Sequence, residues 1–298
     1  MTWIAPTNAP DSAAVAAHYD REDPLFRALW GDHLHHGVRS CGGWARGGHA
    51  QRAAAAVERI AGKLDLHPGA RVLDVGCGYG GPAMQLAREH RARVTGLTLS
   101  RVQFERAREL SSALDESRRP QFRLGDWLEN EFVDDSFDAA LTVECFGHVV
   151  DKARFLSELR RVLVPGGRCV LVFWAAMEEP GPKQKAHLEK LCVQARLPSI
   201  GSEVAVQRLA EQAGLVWSGC EDWSREVLGT WPRAIAHTAW LTATRRQVRA
   251  RVLGLDGESR LPAAMAFGMM RGLREGNLRY LAAECRVAPQ PAPPLEGG

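Results

Sequence analysis

With 298 residues, of which 45% are hydrophobic and 24% charged, the chain has an ordinary globular composition and can bury a substantial core. Its formal net charge of +3 is too small to indicate a nucleic-acid partner, and no long basic run with interleaved aromatic residues occurs. The seven cysteines show no C-x-x-C spacing, which favours free thiols in a reducing compartment over a zinc framework.

Signals for membranes or secretion are also lacking. No apolar run approaches the roughly 20 residues of a membrane-spanning helix, and the N-terminus lacks the basic, apolar and small-residue pattern of a signal peptide. We therefore expect a soluble, cytoplasmic protein without membrane insertion.

The N-terminal part predicts a loose arm followed by a helix and a second apolar stretch. Residues 1–12 contain two prolines and predict the arm. Alanine-rich sequence predicts a helix from residue 11 or 12 to Tyr19, and a second apolar stretch, Leu25–Trp30, follows Pro24.

Three histidines, His33, His35 and His36, lie close together in the next segment. They suggest a metal ligand set, but the spacing supports it weakly and no acidic or thiol partner lies beside them. Histidines that are hydrogen-bonded within a packed lid are the favoured alternative, so no metal site is predicted.

The stretch 71–81 combines an apolar strand with a glycine-rich turn. The glycines let the backbone approach a ligand without interference from a Cβ atom, and helix-forming sequence begins at Pro82. Strand, glycine turn and helix in this order are typical of nucleotide sites at the carboxyl edge of an open α/β sheet.

Strands alternate with helices along the rest of the chain. Further strands are predicted at Arg93–Thr98, Gln121–Leu124, Asp138–Val143, Cys169–Trp174, Leu215–Ser224 and Leu278–Arg286. Helices are predicted at Ala50–Leu64, Val102–Leu114, Lys152–Leu163, Lys183–Arg196, Val204–Ala213, Pro232–Leu253 and Pro262–Arg274. This alternation predicts an α/β fold with a Rossmann-like, seven-stranded, doubly wound sheet, an N-terminal helical cap and a helical insert before the last strand.

The glycine pattern fits two cofactors. Gly76, Gly78 and Gly81 match the G-x-G-x-x-G of dinucleotide sites, whereas residues 74–80 match the D-x-G-x-G-x-G of S-adenosylmethionine (SAM) sites. Dinucleotide enzymes usually place an acid at the end of the second strand, about 20 residues further on, and Gly96–Gln103 contains none. This counts against NAD, although the commonest SAM enzymes also carry an acid there.

Gly96-Leu-Thr-Leu-Ser-x-x-Gln103 resembles the acid-less variant found in one group of class I SAM-dependent methyltransferases. That group includes cyclopropane fatty-acid synthases, sterol and tocopherol C-methyltransferases, and dimethylglycine N-methyltransferases. Other segments resemble the same group in order, namely 18–20 and 30–37 in its cap, 125–127 in its adenine-binding turn, 159–168 before the fifth strand, and 271–280 in its last helix and strand. The resemblance covers most of residues 15–286 and is weakest over 176–265.

The resemblance implies SAM as the cofactor. Gly76 and Gly78 would lie against its ribose and methionine part, and Asp74 would order the loop or receive the ammonium. Ribose contacts fall to residues of the second strand and the following helix, the adenine to residues 126 and 127, and the methionine end to the cap. The cofactor residues implied in this way are Tyr19, Asp74, Gly76, Cys77, Gly78, Thr98, Leu99, Gln103, Asp126 and Trp127.

Two candidate catalytic residues, Glu144 and His148, follow the fourth strand, where the methyl group lies in this fold. His148 is the candidate base or substrate-positioning group, because imidazole ordinarily titrates near neutrality. A hydrogen bond from His148 to loop backbone is the alternative. Glu144 would either orient the cofactor or lid, or act on the substrate.

Nine tryptophans against three tyrosines suggest an apolar or aromatic substrate. The tryptophans available to line an acceptor pocket between the cap and residues 176–275 are Trp30, Trp174, Trp223, Trp231 and Trp240. The candidate substrate-binding residues are Trp30, His36, Trp174 and Trp231. A basic cluster, Arg245, Arg246, Arg249 and Arg251, predicts a surface helix face or, as the sharper hypothesis, a contact with an anionic group.

Together these features predict a SAM-dependent methyltransferase acting at carbon or oxygen of a small, largely apolar metabolite. Prenylated, terpenoid, polyketide and aromatic natural products are the expected acceptor classes. N-methylation of a small amine, and a SAM-binding cyclase or isomerase on the same fold, are the alternatives.

Three parts of the chain are expected: an arm and cap (1–49), a SAM-binding domain (50–287, with a variable substrate part at 176–275) and a disordered tail (288–298). Helical caps of this kind often mediate dimers, which leaves a homodimer or higher homo-oligomer open.

Overall fold

The structure is a computed structural model that describes residues 2–38, 48–252 and 262–289. Its strands are β1 (Trp3–Ile4), β2 (Arg71–Val75), β3 (Arg93–Thr98), β4 (Gln121–Leu124), β5 (Phe137–Val143), β6 (Leu163–Ala176), β7 (Ile200–Gly201), β8 (Leu215–Asp222) and β9 (Leu278–Val287). Seven of these form one sheet in the order β4-β3-β2-β5-β6-β9-β8. The first five strands in that order run parallel, and β9 is antiparallel to both of its neighbours.

Helices cover the sheet and build the cap and insert. They are α1 (Ser12–Trp30), α2 (His49–Leu64), α3 (Gly81–Glu89), α4 (Arg101–Ser111), α5 (Lys152–Val162), α6 (Pro182–Gln194), α7 (Glu203–Gln212), α8 (Ser224–Leu228), α9 (Thr230–Thr244), α10 (Arg246–Val252) and α11 (Pro262–Glu275). The predicted α/β fold with a seven-stranded sheet is confirmed.

Strand β6 shows why the sheet must be covered on both faces. Val170, Val172 and Trp174 belong to the apolar core on one face, whereas the alternating Leu171 and Phe173 belong to the core on the other. A central parallel strand buried on both sides is expected to be a continuous apolar run. The core therefore lies in two layers, one on each face of the sheet.

The N-terminal arm is more ordered than the sequence predicts. Trp3 and Ile4 form a short antiparallel pair with Gly201 and Ile200, and Ile4 is buried. The prediction of a loose arm over residues 1–12 is therefore wrong for these two residues, because their partner strand lies nearly 200 positions away.

Helix α1 runs through Pro24 to Trp30 without a break, so the helix predicted to end at Tyr19 is longer than expected and includes the apolar stretch Leu25–Trp30. Proline within a helix removes one backbone hydrogen bond and costs about 3 kcal/mol. Contacts on both sides of the proline hold the helix: Asp20 accepts a hydrogen bond from the Ser100 hydroxyl, and Asp23 accepts one of 2.5 Å from the Tyr79 hydroxyl. These contacts also fix α1 over the carboxyl edge of the sheet.

The sixth predicted strand ends earlier than expected, at Asp222, and the short helix α8 follows it. Parts of three predictions lie outside the described residues: positions 39–47 of the cap, the helix end at Leu253, and positions 290–298 of the tail.

Candidate active site

Two adjoining cavities lie where the carboxyl ends of the parallel strands meet the cap. The first, of about 140 Å³, follows β2, β3 and β5, and we call it the cofactor cavity. The second, of about 590 Å³, lies between α1, α9 and α11, and we call it the acceptor cavity. Pockets of several hundred Å³ with mainly apolar walls are the usual form of small-molecule sites.

All the residues predicted for the cofactor line the first cavity. They are Tyr19, Asp74, Gly76, Cys77, Gly78, Thr98, Leu99, Gln103, Asp126 and Trp127. They come from five separate segments, which the parallel strands bring together because their carboxyl ends share one edge of the sheet.

The glycine turn has a conformation that side chains disfavour. Gly76 and Gly78 have φ angles of +75° and +56°. A Cβ atom on Gly76 would lie 2.3 Å from the Cβ of Cys145, closer than real atoms approach. The turn therefore depends on glycine at position 76 for both its backbone shape and its packing.

Asp74 places a buried carboxyl group beside this turn. Its Oδ2 atom has no hydrogen-bond partner within the described residues, and burial raises the pKa of Asp74 to about 7. A buried polar atom without a partner is costly. The ammonium of a bound SAM could supply that partner, so the residues present fit this cofactor.

The end of β3 is neutral but polar, whereas an acid follows β4. The Thr98 hydroxyl donates a 2.8 Å hydrogen bond to Oε1 of Gln103, and both side chains are buried. Asp126 accepts a 2.9 Å hydrogen bond from the backbone N–H of Leu128. Trp127 packs against Phe155 and donates its Nε1–H to the Phe155 carbonyl, so it belongs to the core as well as to the cavity wall.

The acceptor cavity is predominantly apolar. Trp30, His36, Trp174 and Trp231, the residues predicted to bind substrate, all line it. Two other tryptophans do not: Trp223 is buried beneath Arg59 outside the cavity, and Trp240 is 55% exposed. The suggestion that Trp223 and Trp240 line the pocket is therefore wrong.

Four residues line both cavities and form their junction, namely Tyr19, Leu34, Glu144 and His148. The Tyr19 hydroxyl lies 2.9 Å from Nε2 of His148, and Nδ1 of His148 lies 3.1 Å from the Arg196 carbonyl oxygen. Since a carbonyl only accepts, Nδ1 carries the proton and Nε2 accepts from Tyr19.

Both ring nitrogens of His148 are therefore engaged within the protein. Burial lowers the pKa of His148 to about 4, which keeps the ring neutral at pH 7. The hydrogen bond to loop backbone, which is the alternative role of His148, is present. A second hydrogen bond joins His148 to Tyr19 of the cap.

Glu144 is the charged group of the junction. It follows β5 with a φ angle of +61°. Its Oε1 atom accepts hydrogen bonds from the backbone N–H of His36 (2.6 Å), from Nδ1 of His36 (3.0 Å) and from the Tyr280 hydroxyl (2.7 Å). Burial opposes ionisation of this carboxyl group, but His36 and Tyr280 outweigh burial and lower its pKa to about 2.

Of the three clustered histidines, only His33 and His35 have rings in contact with each other, with centroids 5.5 Å apart. His36 faces the acceptor cavity, whereas His35 lines the cofactor cavity and His33 contacts Gly81. Within the described part of the chain, no group of three histidine, cysteine, aspartate or glutamate residues is arranged to hold a metal ion.

The basic cluster contributes one residue to the site. Arg249 lines the acceptor cavity, and its guanidinium donates to the carbonyl oxygens of Thr242 and Ala243. Arg245 and Arg246 are exposed, and the side chain of Arg251 lies outside the described part.

Two residues of the site were not predicted from the sequence: Leu34, which lines the junction, and Tyr280, which donates a hydrogen bond to Glu144. Leu34 is a single apolar residue between His33 and His35, and no motif marks it. Tyr280 ends the segment 271–280, which resembles the family's last helix and strand, and its hydrogen bond to Glu144 joins residues 136 positions apart. No local pattern marks such a contact.

None of the helices in the described ranges is long and apolar enough to cross a membrane.

Comparison with known proteins agrees with this geometry. Residues 7–214 match the family described as mycolic acid cyclopropane synthetase. The chain is 31% identical to tocopherol O-methyltransferase of Arabidopsis thaliana, over 91% of this chain and 81% of that protein. It is 35% identical to 2-methyl-6-phytyl-1,4-hydroquinone methyltransferase of Synechocystis, over 74% of this chain and 71% of that protein.

A solved structure of a mycolic acid cyclopropane synthase, complexed with SAH and CTAB, shares the fold. Its TM-score is 0.78 at 24% identity, over 94% of this chain and 99% of that chain. The relatives named above are methyltransferases, which does not favour the cyclase alternative. The chain belongs to the mycolic acid cyclopropane synthetase family and is a class I SAM-dependent methyltransferase.

Proposed function

We propose that SAM occupies the cofactor cavity and that a small, largely apolar acceptor occupies the acceptor cavity. The observation that carries this proposal is that the two cavities meet at four shared residues, Tyr19, Leu34, Glu144 and His148. The sulfonium methyl group would lie at this junction and pass to carbon or oxygen of the acceptor.

Methyl transfer from a sulfonium is an in-line displacement that depends mainly on alignment and exclusion of water. In the proposed complex, Gly76 and Gly78 let the backbone lie against the cofactor, and Asp74 receives its ammonium group. Thr98, Leu99 and Gln103 meet the ribose, and the adenine lies between Asp126 and Trp127. Tyr19 closes the methionine end from the cap, and Cys77 completes the turn.

His148 has a positioning role in this proposal. It accepts the Tyr19 hydroxyl bond and is anchored by the Arg196 carbonyl, so it holds Tyr19 across the junction. Glu144, which is ionised, places a negative charge beside the sulfonium.

The acceptor class follows from the walls of the larger cavity. Trp30, Trp174 and Trp231 offer broad apolar surfaces, which suits prenylated, terpenoid, polyketide or aromatic rings. The names of the two relatives, a tocopherol and a hydroquinone methyltransferase, support an aromatic, prenyl-bearing acceptor. The cap (1–49) and the variable part (176–275) of the SAM-binding domain (50–287) would enclose it, and the tail (288–298) would take no part.

Transfer of label from methyl-labelled SAM to a panel of prenylated hydroquinones, phenols and amines tests this function. Leu34→Trp enlarges a side chain that lines both cavities, so it should abolish transfer while calorimetry still detects SAM binding. Leu29→Trp, which lies in the acceptor cavity alone, is the matched control and should alter acceptor preference without blocking transfer. Full turnover by Leu34→Trp would contradict methyl passage through the junction.

We also propose a cytoplasmic location and a homodimer or higher homo-oligomer. Light scattering of the purified chain tests the assembly, and a monomer at micromolar concentration would refute it. Cell fractionation tests the location, and recovery in a plastid fraction would refute it, since the Arabidopsis relative is described as chloroplastic.

A further inference from the structure

Three histidines, His18, His36 and His148, line the acceptor cavity. Burial lowers the pKa of both His18 and His148 to about 4. Only His36 has a hydrogen-bonded carboxylate, since its Nδ1 atom lies 3.0 Å from Oε1 of Glu144. Of the three, His36 is therefore the one whose ring has an anionic partner in the described structure.

The hydrogen bonds of His36 define its tautomer. A carboxylate only accepts, so Nδ1 carries the proton and Nε2 bears the lone pair. Nε2 is buried and has no hydrogen-bond partner within the described ranges. The ring lies among Trp30, Trp174 and Trp231, at centroid distances of 5.3, 5.2 and 4.8 Å. A hydroxyl group of a bound acceptor would donate the hydrogen bond that Nε2 lacks.

Glu144, the other member of the His36–Glu144 pair, is also held in place by hydrogen bonds. Glu144 receives the backbone N–H of His36 and the Tyr280 hydroxyl on the same oxygen that binds Nδ1. The carboxylate therefore orients the ring and remains charged, as an imidazolium partner requires.

We propose that His36, held by Glu144, is the general base of this enzyme and that its acceptor carries a phenolic or hydroquinone hydroxyl. The inference rests on the proposed function. In the step, the hydroxyl oxygen bonds to the methyl carbon and its proton moves to Nε2. The carbon–sulfur electron pair stays on sulfur, so the sulfonium becomes a neutral thioether and the positive charge passes to the imidazolium beside Glu144.

His148 cannot replace His36 in this role without breaking a contact. Its Nε2 atom already accepts the Tyr19 hydroxyl, and its Nδ1 proton is held by the Arg196 carbonyl. The proposed base, His36, is therefore a different residue from His148, the histidine that follows β5.

The test compares full-length wild-type enzyme with His36→Asn on 4-octylphenol and a series of its ring-fluorinated analogues. Asparagine keeps a donor toward Glu144 and removes Nε2. With the least acidic phenol, kcat/KM should fall at least about a hundredfold. The deficit should shrink to below about tenfold with the most acidic phenol, because a phenolate needs no base. SAM affinity should change less than twofold.

His18→Asn serves as the comparison variant, since His18 lines the same cavity without a carboxylate partner. Any loss it causes should be independent of phenol acidity. A loss in His36→Asn that is equal across the series would assign His36 a purely structural role and overturn the inference, and so would no loss.

A second measurement covers the case in which His36→Asn does not fold. In the wild-type enzyme with SAH and ¹⁵N-labelled histidine, saturating 4-octylphenol should shift the Nε2 resonance of His36. Bound phenol without that shift overturns the inference. If phenols are not methylated but amines or alkenes are, the inference fails and the proposed function stands; if SAM does not bind, the proposed function fails first.

Discussion

The cofactor cavity and the acceptor cavity meet at one junction but are built in different ways. The cofactor cavity is formed by backbone turns at strand ends, where Gly76, Gly78 and Asp74 occupy positions that tolerate few alternatives. The acceptor cavity is formed by side chains of α1, α9 and α11, whose apolar surfaces can be replaced by others of similar volume. Short motifs can therefore reveal the first cavity but not the second.

The largest expected effect is on the glycine turn. Gly76→Ala should weaken SAM binding about a thousandfold, or about 4 kcal/mol, because the new Cβ would overlap Cys145 and φ is +75°. Calorimetry measures the affinity. Gly69→Ala is the matched control, since Gly69 has φ +85° with no atom within 4 Å of a new Cβ. It should cost only about 1–2 kcal/mol of stability. An equal loss of SAM affinity in the two variants would refute the packing argument.

Acid should affect the buried histidines and the buried carboxyl group of Asp74 in opposite directions. Burial lowers the pKa of His18, His35 and His148 to about 4. Between pH 6.5 and 4 the unfolded chain therefore binds more protons, and the folded state loses stability as pH falls. Asp74, whose pKa burial raises to about 7, binds its proton first in the folded state and gains stability over the same range.

The free energy of unfolding without cofactor should fall between pH 7 and pH 5, because several histidines lose stability against one aspartate that gains it. Urea denaturation at several pH values measures this fall. His18→Asn should flatten the slope and Asp74→Asn should steepen it. A slope that neither substitution changes would contradict the assignment of these groups.

A smaller effect is expected in the acceptor cavity. Trp231→Phe removes a buried Nε1–H that has no hydrogen-bond partner in the described structure and reduces the apolar wall. Acceptor kcat/KM should fall about tenfold (about 1.4 kcal/mol), with the Kd for SAM unchanged. Trp240→Phe, at an exposed position outside the cavity, should leave both constants as they are. An altered SAM affinity in Trp231→Phe would show that the two cavities are not independent.

The smallest expected effect is the release of a fraction of a proton when SAM binds. If the ammonium of SAM pairs with Asp74, binding should ionise this carboxyl group and release about half a proton at pH 7. Calorimetry in buffers of different ionisation enthalpy measures the release. Asp74→Asn should abolish it, and unchanged release in that variant would place the ammonium elsewhere.

The sequence predicted the sheet well and the surroundings of the site less well. Strands β3 and β4 have the predicted bounds. Strand β3 is a mostly buried run, and β4 alternates polar and apolar residues at the edge of the sheet. The pairing of Ile4 with Ile200 and the contact of Tyr280 with Glu144 join distant segments, and no local pattern reports them. Trp223 and Trp231 are equally apolar and lie eight residues apart, yet only Trp231 reaches the acceptor cavity.

Helix α1 lines both cavities, so the acceptor cavity cannot be exchanged independently of the cofactor cavity. Its Val15, Ala16 and Tyr19 face the cofactor cavity, whereas His18, Glu22 and Phe26 face the acceptor cavity. The first turns of this helix thus line the cofactor cavity and its later turns the acceptor cavity, and Tyr19 lines both. Grafting residues 176–275 of a relative onto this chain would exchange only one wall of the acceptor cavity, so a transplant of specificity has to include α1 and be compatible with its cofactor face.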